Sequence, residues 1–370
     1  MPNRSGTDFR CHVPPTPDGG TEEALTATLH ATRAYRESLG RALRRNARME
    51  AFLESQRAKK ADLIGKRAAK RFREFSRSQR ASNYGLGSLA DVTDAPAQLG
   101  AARTRTSQMA ADLIAGEGVD PSALRRLRQN LRRTRAVGPI SSRPRGQLEF
   151  VADSDAPAEI RERRTNPWSI RDVPYDGWDW WYSWWLEDGA VQDPTLTYYS
   201  NPATGSVGHR SVWEDYDAGN WDGCNLELWS SVGFWLKPEK TGHLEMWVKT
   251  RCIRARYWVW AADEWGWSGY HDQMTSNWTV SLTAGATGDE TSSWNMDFYD
   301  DDTTWSGDIV PPNTTGWLHL ITSGTVTKDN WIYVKFGTHD IHGIAIDDTS
   351  MESRMRNHWH LEEAQYRTTS

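Results

Sequence analysis

The residues best suited to chemistry lie in three stretches of alternating side chains. In 243–250, period two places Leu244, Met246 and Val248 on one face and Glu245, Trp247 and Lys249 on the other. In 252–260, Ile253, Ala255, Tyr257 and Val259 share a face, which leaves Arg254, Arg256, Trp258 and Trp260 opposite. In 330–337, Ile332, Val334 and Phe336 point inward, and Trp331, Tyr333 and Lys335 point outward. Each outward row sets flat aromatic rings beside charged groups. On a rigid sheet such rings stack against the apolar face of a pyranose, and adjacent Arg, Glu and Lys side chains bond its hydroxyls. The candidate ligand-binding residues are therefore Trp247, Arg254, Arg256, Trp258, Trp260, Trp331 and Tyr333. The competing expectation is that the helical arm, the Trp-rich segment 178–185 or another subunit covers this second face, since tryptophan is also a common core residue.

Acidic residues offer a second chemistry. Asp297, Asp300, Asp301, Asp302 and Asp308 crowd one segment, and Asp347-Asp348 forms a second group. Oxygen ligands at this density suit Ca²⁺, with Asp300, Asp302 and Asp347 as the candidate ligands. The spacing is not that of an EF-hand, and solvated acidic turns are the alternative. His339 with His342, or His358 with His360, lacks the third ligand a zinc site needs. No G-x-S-x-G, P-loop or G-x-G-x-x-G pattern stands in a suitable context. With 34 acidic residues after position 150, spacing alone singles out no glycosidase pair. No residue is nominated as catalytic, and a glycosidase is kept as an alternative.

The segment from Asp176 to Trp185 holds five tryptophans: Trp178, Trp180, Trp181, Trp184 and Trp185. They cannot share one side of a strand. The segment reads as a plug that closes one edge of a sandwich, the alternative being a sugar-binding or membrane-interface loop. Asp263 to Trp267 reads as a turn and a second binding-loop tip.

The elements that must position these residues divide the chain in two. Residues 1–150 carry 28 basic and 15 acidic residues, a net of +13, and the remainder carries 16 and 34, a net of −18. All 21 tryptophans lie at or after Trp168. The expected organisation is a disordered lead-in over 1–20, a basic helical region over 21–135, a linker over 136–167 and a Trp-rich β-domain over 168–370. Thr21 caps the first helix, and Glu22 and Glu23 suit its positive end. Its apolar stripe is thin, so it needs a neighbour, and self-association through this arm is expected. Asp120-Pro121 opens another helix, whose Arg125, Arg126, Arg128, Arg132, Arg133 and Arg135 could meet nucleic acid or an anionic surface. No aromatics interleave these arginines to stack bases. From Trp168 onward, short alternating runs between Gly, Asn, Asp and Pro turns indicate an all-β antiparallel sandwich. The fold class is thus a multi-part α+β chain, a helical arm followed by that sandwich.

Three cysteines, Cys11, Cys224 and Cys252, are too few for a disulfide framework. Cys224 with Cys252 is one pairing, and two separate buried thiols are the other reading. The first twenty residues have no apolar run of the Sec type, and no stretch reaches 18 apolar residues. The expectation is a cytoplasmic protein, or one exported by a non-Sec route.

Three short motifs carry a resemblance: Val232-Gly-Phe-Trp-Leu-Lys-Pro238, Ile309-Val-Pro-Pro-Asn-Thr-Thr-Gly-Trp-Leu-His-Leu320, and Gly343-Ile-Ala-Ile-Asp-Asp-Thr-Ser-Met351. The C-terminal region resembles the jelly-roll domains of carbohydrate-binding modules and related galactose-binding-like folds. The resemblance implies an antiparallel jelly roll, a glycan ligand and a structural Ca²⁺ near Asp347. A non-catalytic, lectin-like binding protein is the leading expectation. The second is a structural or assembly subunit of a phage-like or exported particle, with the arm mediating oligomerisation. A receptor-binding or toxin-like protein is the third.

Overall fold

In a computed structural model the described residues are 4–33, scattered positions from 35 to 71 and from 112 to 122, then 146–165, 167–186, 194–215, 221–263, 269–282, 293–300, 302–347 and 349–369. The architecture is an antiparallel β-sandwich with an N-terminal helix docked on it. One sheet runs β1 (Arg4–His12), β4 (Gly177–Leu186), β7 (Trp221–Leu236), β13 (Ile332–Asp347), β9 (Gly269–Leu282) and β10 (Ser293–Asp300). The second runs β2 (Gly146–Ala152), β12 (Thr315–Val326), β8 (Gly242–Asp263), β14 (Thr349–Thr369), β6 (Ser206–Asp215) and β5 (Thr195–Tyr198), with β11 (Asp302–Val310) on β8 and β3 (Ser169–Asp172) on β14. Among the described residues no helix is long and apolar enough to cross a membrane.

The inward faces follow the alternation read from the sequence, except that an irregularity in β8 turns Cys252 rather than Ile253 into the core. Leu244, Met246 and Val248 of β8 meet Ile332, Val334 and Phe336 of β13 in one core, with Leu236, Val280 and Trp359. Burial of apolar surface at roughly 25 cal/mol per Å² is what holds the two sheets together.

The other half of the interior is polar. Along β13 the inward positions change from Ile332, Val334 and Phe336 to Thr338, Asp340 and His342, all fully buried. Asn357 Nδ2 donates to Asp340 Oδ2 at 3.0 Å and to Ser276 Oγ at 2.8 Å, and the Nε2 of His209 lies against the same Asp340 carboxylate. His342 Nε2 is 2.8 Å from Ser353 Oγ, which is 3.0 Å from the Tyr257 hydroxyl. Groups buried this deeply need partners, and the two sheets supply them to each other.

Several sequence-based boundaries are corrected. The lead-in is not disordered over 4–12, because β1 pairs along the whole of β4, from Arg4 opposite Leu186 to His12 opposite Trp178. The linker holds β2, a short helix (Ala158–Arg161) and their connecting turn. The β-domain therefore begins before Trp168 and recruits the N-terminus. The Trp-rich segment is neither plug nor loop but the sheet strand β4. Trp181 faces outward against Trp229, ring to ring at 5.8 Å, and Trp180 stacks on Tyr198 of the second sheet at 4.2 Å. Cys252 is a buried free thiol, so it is not paired with Cys224.

Residues 21–33 form the first helix, α1, and the described positions between 35 and 71 are helical as well. Ala24, Ala27 and Ala31 repeat at helical spacing and are buried, and Ala24 and Ala27 pack on Trp235 and Tyr333 of the first sheet. Small side chains let the helix backbone approach the sheet closely. The second short helix, α2 (Ala158–Arg161), drops Ile160 onto the outer face of the second sheet. The segment Arg125–Arg135 lies outside the described residues.

Candidate functional site

The two helices decide which outward rows stay open. Tyr333 is 1% exposed beneath α1, beside Trp235. Trp331 is half-buried, and its indole Nε1 donates to Asp18 Oδ2 at 2.6 Å from the N-terminal segment. Trp247 is 6% exposed, enclosed by Ala156, Ile160, Trp168 and Trp317. Tyr333 and Trp247 therefore present no exposed ring face, and Trp331 is partly covered. The covering elements lie far away in sequence, so alternation alone could not reveal them.

Around Trp247 the covered face carries its own electrostatics. Glu245 accepts from Arg367 Nε at 2.9 Å and lies 3.3 Å from His319 Nε2, and His319 Nδ1 is 3.1 Å from Glu149. Partial burial works against ionising Glu245, but the bonds from His319 and Arg367 outweigh it and hold its pKa at about 2. His319 is likewise opposed by burial, yet its two carboxylate partners raise it above its ordinary value. Trp247 stacks on its imidazole with centroids 4.0 Å apart.

The far half of the same outer face is uncovered by either helix. Here β6, β14 and β8 lie side by side in register. Arg210 is opposite Arg356, and Arg356 is opposite Arg256, so three arginines form a row across three strands. All three are exposed. The next row places Val212, Arg354 and Trp258 together, and the row on the other side places Gly208, His358 and Arg254 together. Directly opposite residues in an antiparallel pair share a face, so these rows form one patch.

The rings on this patch hold guanidinium groups. Arg354 lies over Trp258 at 5.1 Å, and Arg356 over Tyr199 at 5.6 Å. Tyr199 in turn stacks on His358 at 4.0 Å. Burial first, then repulsion from a protonated His360 and from the Arg356 guanidinium, hold the His358 pKa down at about 4. Arg254 Nε is 3.3 Å from Asp308 Oδ1 on β11.

Of the candidate residues, Arg254, Arg256 and Trp258 are brought together on one face, Arg256 exposed and the other two half-buried. Trp260 follows on the same strand, opposite Glu352, with its side chain outside the described residues. Sequence reasoning missed Arg210, Arg354, Arg356 and Tyr199. Asp300 pairs with Tyr270, and Asp347 with Gly269, so their backbones flank β9 at one end of the first sheet. Asp302 pairs with Ala262 in the second sheet. The side chains of these three lie outside the described residues, and among the described residues no group of three or more metal-ligating side chains occurs.

No family model matches the chain, and no curated protein sequence matches it. Among solved structures it is similar to the enzymatically active domain of tailspike protein 4 of bacteriophage CBA120, at 10% identity and a TM-score of 0.12, over 45% of this chain and 19% of that one. It is also similar to TmCBM61 in complex with beta-1,4-galactotriose, at 10% identity and a TM-score of 0.11, over 50% of this chain and 87% of that one. A family 11 carbohydrate-binding module from Clostridium thermocellum aligns at 8% identity and a TM-score of 0.11, over 55% of this chain and 95% of that one. The chain thus spans about a fifth of the tailspike domain, and scores this low carry no functional argument. What stands is the class the geometry defines, an antiparallel β-sandwich.

Proposed function

We propose that this is a non-catalytic carbohydrate-binding protein whose site is the open half of the outer face of the second sheet, centred on Arg254, Arg256 and Trp258. The observation that carries the reading is selective coverage. Helix α2 and its flanking turn bury Trp247 and Trp317, whereas beyond them on the same face, among the described residues, Arg210, Arg256 and Arg356 are exposed and Trp258 is half-buried. A polar-rimmed face on rigid strands is pre-formed, so a flexible glycan meets little reorganisation cost on the protein side. The Ser353–His342 and His339–Glu227 pairs have the residue types of catalytic groups, but all four residues are buried.

The test is binding of the full chain to an array of neutral and acidic glycans, with Trp258→Ala as the paired variant. Specific binding that the variant loses, with the far-UV spectrum unchanged, is the expected result. A folded protein that binds no glycan on the array overturns it.

One observation favours a second role beside this. Leu25 and Leu29, four residues apart on α1, are 61% and 59% exposed, and Leu43 is 58% exposed. These leucines lie on the side of the arm away from the sandwich, where a second copy could bury them. This is the assembly reading, and light scattering tests it: an oligomer that Leu25→Glu/Leu29→Glu converts to monomer supports it, and a wild-type monomer removes it.

A further inference from the structure

We infer that a cleft at one end of the sandwich binds a single ring of a neutral sugar, as a free hexose or as the terminal residue of a glycan. The cleft is separate from the face around Arg256 and does not rest on the reading above.

Three pieces of chain enclose a volume of about 240 Å³. They are Thr165 with residues 167–169 leading into β3, the turn Pro238–Lys240 between β7 and β8, and Tyr366–Thr368 near the end of β14. Each sheet thus supplies one wall. Neither wall is a loose loop. The Pro238 carbonyl accepts from the Asp329 amide at 3.0 Å, and the Lys328 amide donates to Thr241 Oγ1 at 3.0 Å, which ties the turn to its neighbour. Ser169 pairs with Tyr366 in the ladder of β3 and β14. Pro167 and Pro238 each fix a backbone φ. A site built this way exists before its ligand arrives, so little ordering cost falls on the protein.

The lining suits hydroxyl groups better than an ion. Tyr366 and the rings of Pro167 and Pro238 provide apolar surface. Glu239 and Lys240 are exposed, and among the described residues neither side chain has a hydrogen bond or an ion pair. The same is true of the Thr165 and Thr368 hydroxyls. Arg367 is already met by Glu245, at 2.9 Å from Nε and 2.8 Å from Nη2, and lies over the Trp168 ring at 4.2 Å. It is therefore a fixed wall and not a free cation. Glu239 only accepts, Lys240 only donates, and the threonine hydroxyls do both. A sugar hydroxyl also does both, so each of these groups can serve it. An anionic ligand is opposed by Glu239 and an amine by Lys240, whereas a neutral polyol meets neither repulsion.

Size limits the ligand further. Pockets for drug-sized ligands run from about 300 to 1,000 Å³, so this cleft holds one ring and not a chain. A ring with about a dozen heavy atoms is expected to bind with a Kd on the order of 1 mM.

Saturation-transfer NMR on the full chain tests this, with glucose, galactose and mannose, their β-1,4-linked trisaccharides, glucuronate and glucosamine. The cleft variants are Glu239→Ala/Lys240→Ala, which removes the two unpaired charges, and Thr165→Trp, which places a ring in the cleft. Trp258→Ala and exposed Arg161→Gln are the controls, and each variant has its melting temperature recorded. Transfer to at least one neutral hexose is expected, with a loss on the order of tenfold in affinity in both cleft variants and none in the controls. A trisaccharide that binds as tightly as its hexose assigns the terminus of a glycan, and one that is excluded assigns the free sugar; both support the site. Tighter binding of glucuronate or glucosamine than of any hexose overturns the neutral ligand. Hexose binding that Trp258→Ala abolishes and the cleft variants retain overturns the cleft and supports the face around Arg256. A folded wild type that receives no transfer from any hexose overturns the inference, and binding of a longer glycan by that same protein leaves the carbohydrate-binding reading standing.

Discussion

Lys335 and Asp179 form an ion pair on the outward face of the first sheet, with side chains 4% and 2% exposed. Asp179 also accepts from Trp229 Nε1 at 3.1 Å and from the Ser231 hydroxyl, and Lys335 lies 5.6 Å from the Trp229 ring. His30 of α1 stands close enough that burial first, then Lys335 and Arg33, depress its pKa. The helix therefore seals a charge pair, not a purely apolar seam. Removing one partner of such a pair strands the other. Lys335→Met is expected to destabilise the protein by about 3–5 kcal/mol, and a further Asp179→Leu to recover part of that loss. Urea titrations of the single and double variants measure both values; a single-variant loss under about 1 kcal/mol would contradict the pair's importance.

The docking of α1 depends on small residues. Ala27 is 1% exposed between the helix and the ring pair Trp235–Tyr333. Ala27→Leu inserts three carbons where no space exists, and overpacking of this kind costs about 1–3 kcal/mol. Helix undocking would expose Trp235, so a red shift in tryptophan emission should accompany the lower stability. An unchanged emission maximum would mean that the helix tolerates the larger side chain in place.

The Glu245–His319 pair makes stability depend on pH from both sides. His319 has a raised folded pKa, so its contribution is complete below its unfolded value of about 6.5 and is lost as pH rises through the folded value. Glu245 has a depressed folded pKa of about 2, so its contribution is complete above its unfolded value of about 4.3 and is lost as pH falls toward 2. Together they stabilise most between about pH 4.3 and 6.5. Melting temperatures of wild type and Glu245→Gln should differ most inside that window, the difference shrinking above it as His319 loses its proton, with the Arg367 bond retained, and shrinking below it as Glu245 gains one. A difference that is flat from pH 3 to 9 would remove the pair from the pH profile.

Gly208 lies on the open patch with φ of +118°, and a Cβ there would stand 1.9 Å from the Asn357 carbonyl oxygen. A side chain is excluded by both conformation and contact. Gly208→Ala is expected to push β6 away from β14, lowering stability by more than about 2 kcal/mol and displacing Arg210 from its row. A variant of wild-type stability would show that the two strands separate more easily than this contact implies.

Much of the sandwich was legible because its inward rows obey strict alternation, as in Leu244-Met246-Val248 and Ile332-Val334-Phe336. Strand β14 escaped because its inward positions include the buried polar residues Ser353 and Asn357, while Glu363 and Gln365 are buried on its other face beneath α2. Hydrophobic period two disappears when half of the core face is polar, even though the backbone is fully extended. The loss of β14 concealed Arg354 and Arg356, and with them the row that joins Arg256 to Arg210. Strand β1 was hidden for another reason: its partner β4 carries the apolar surface, and Arg4–His12 needs only backbone bonds and edge contacts. The coverage of Tyr333 and Trp247 depends on Ala27 and Ile160, which lie more than 80 residues from them in the chain.

The position of β14 also orders events during synthesis. It is the strand between β8 and β6, pairing with one from Thr349 to Thr369 and with the other from Met351 to His360. Until residues 349–369 leave the ribosome, β6 and β8 have no common neighbour, although both were made more than 80 residues earlier. Contacts of such sequence separation form slowly. The nascent chain must therefore hold two long, ring-bearing strand edges apart until their divider arrives, and aggregation during translation becomes the hazard that this topology has to survive.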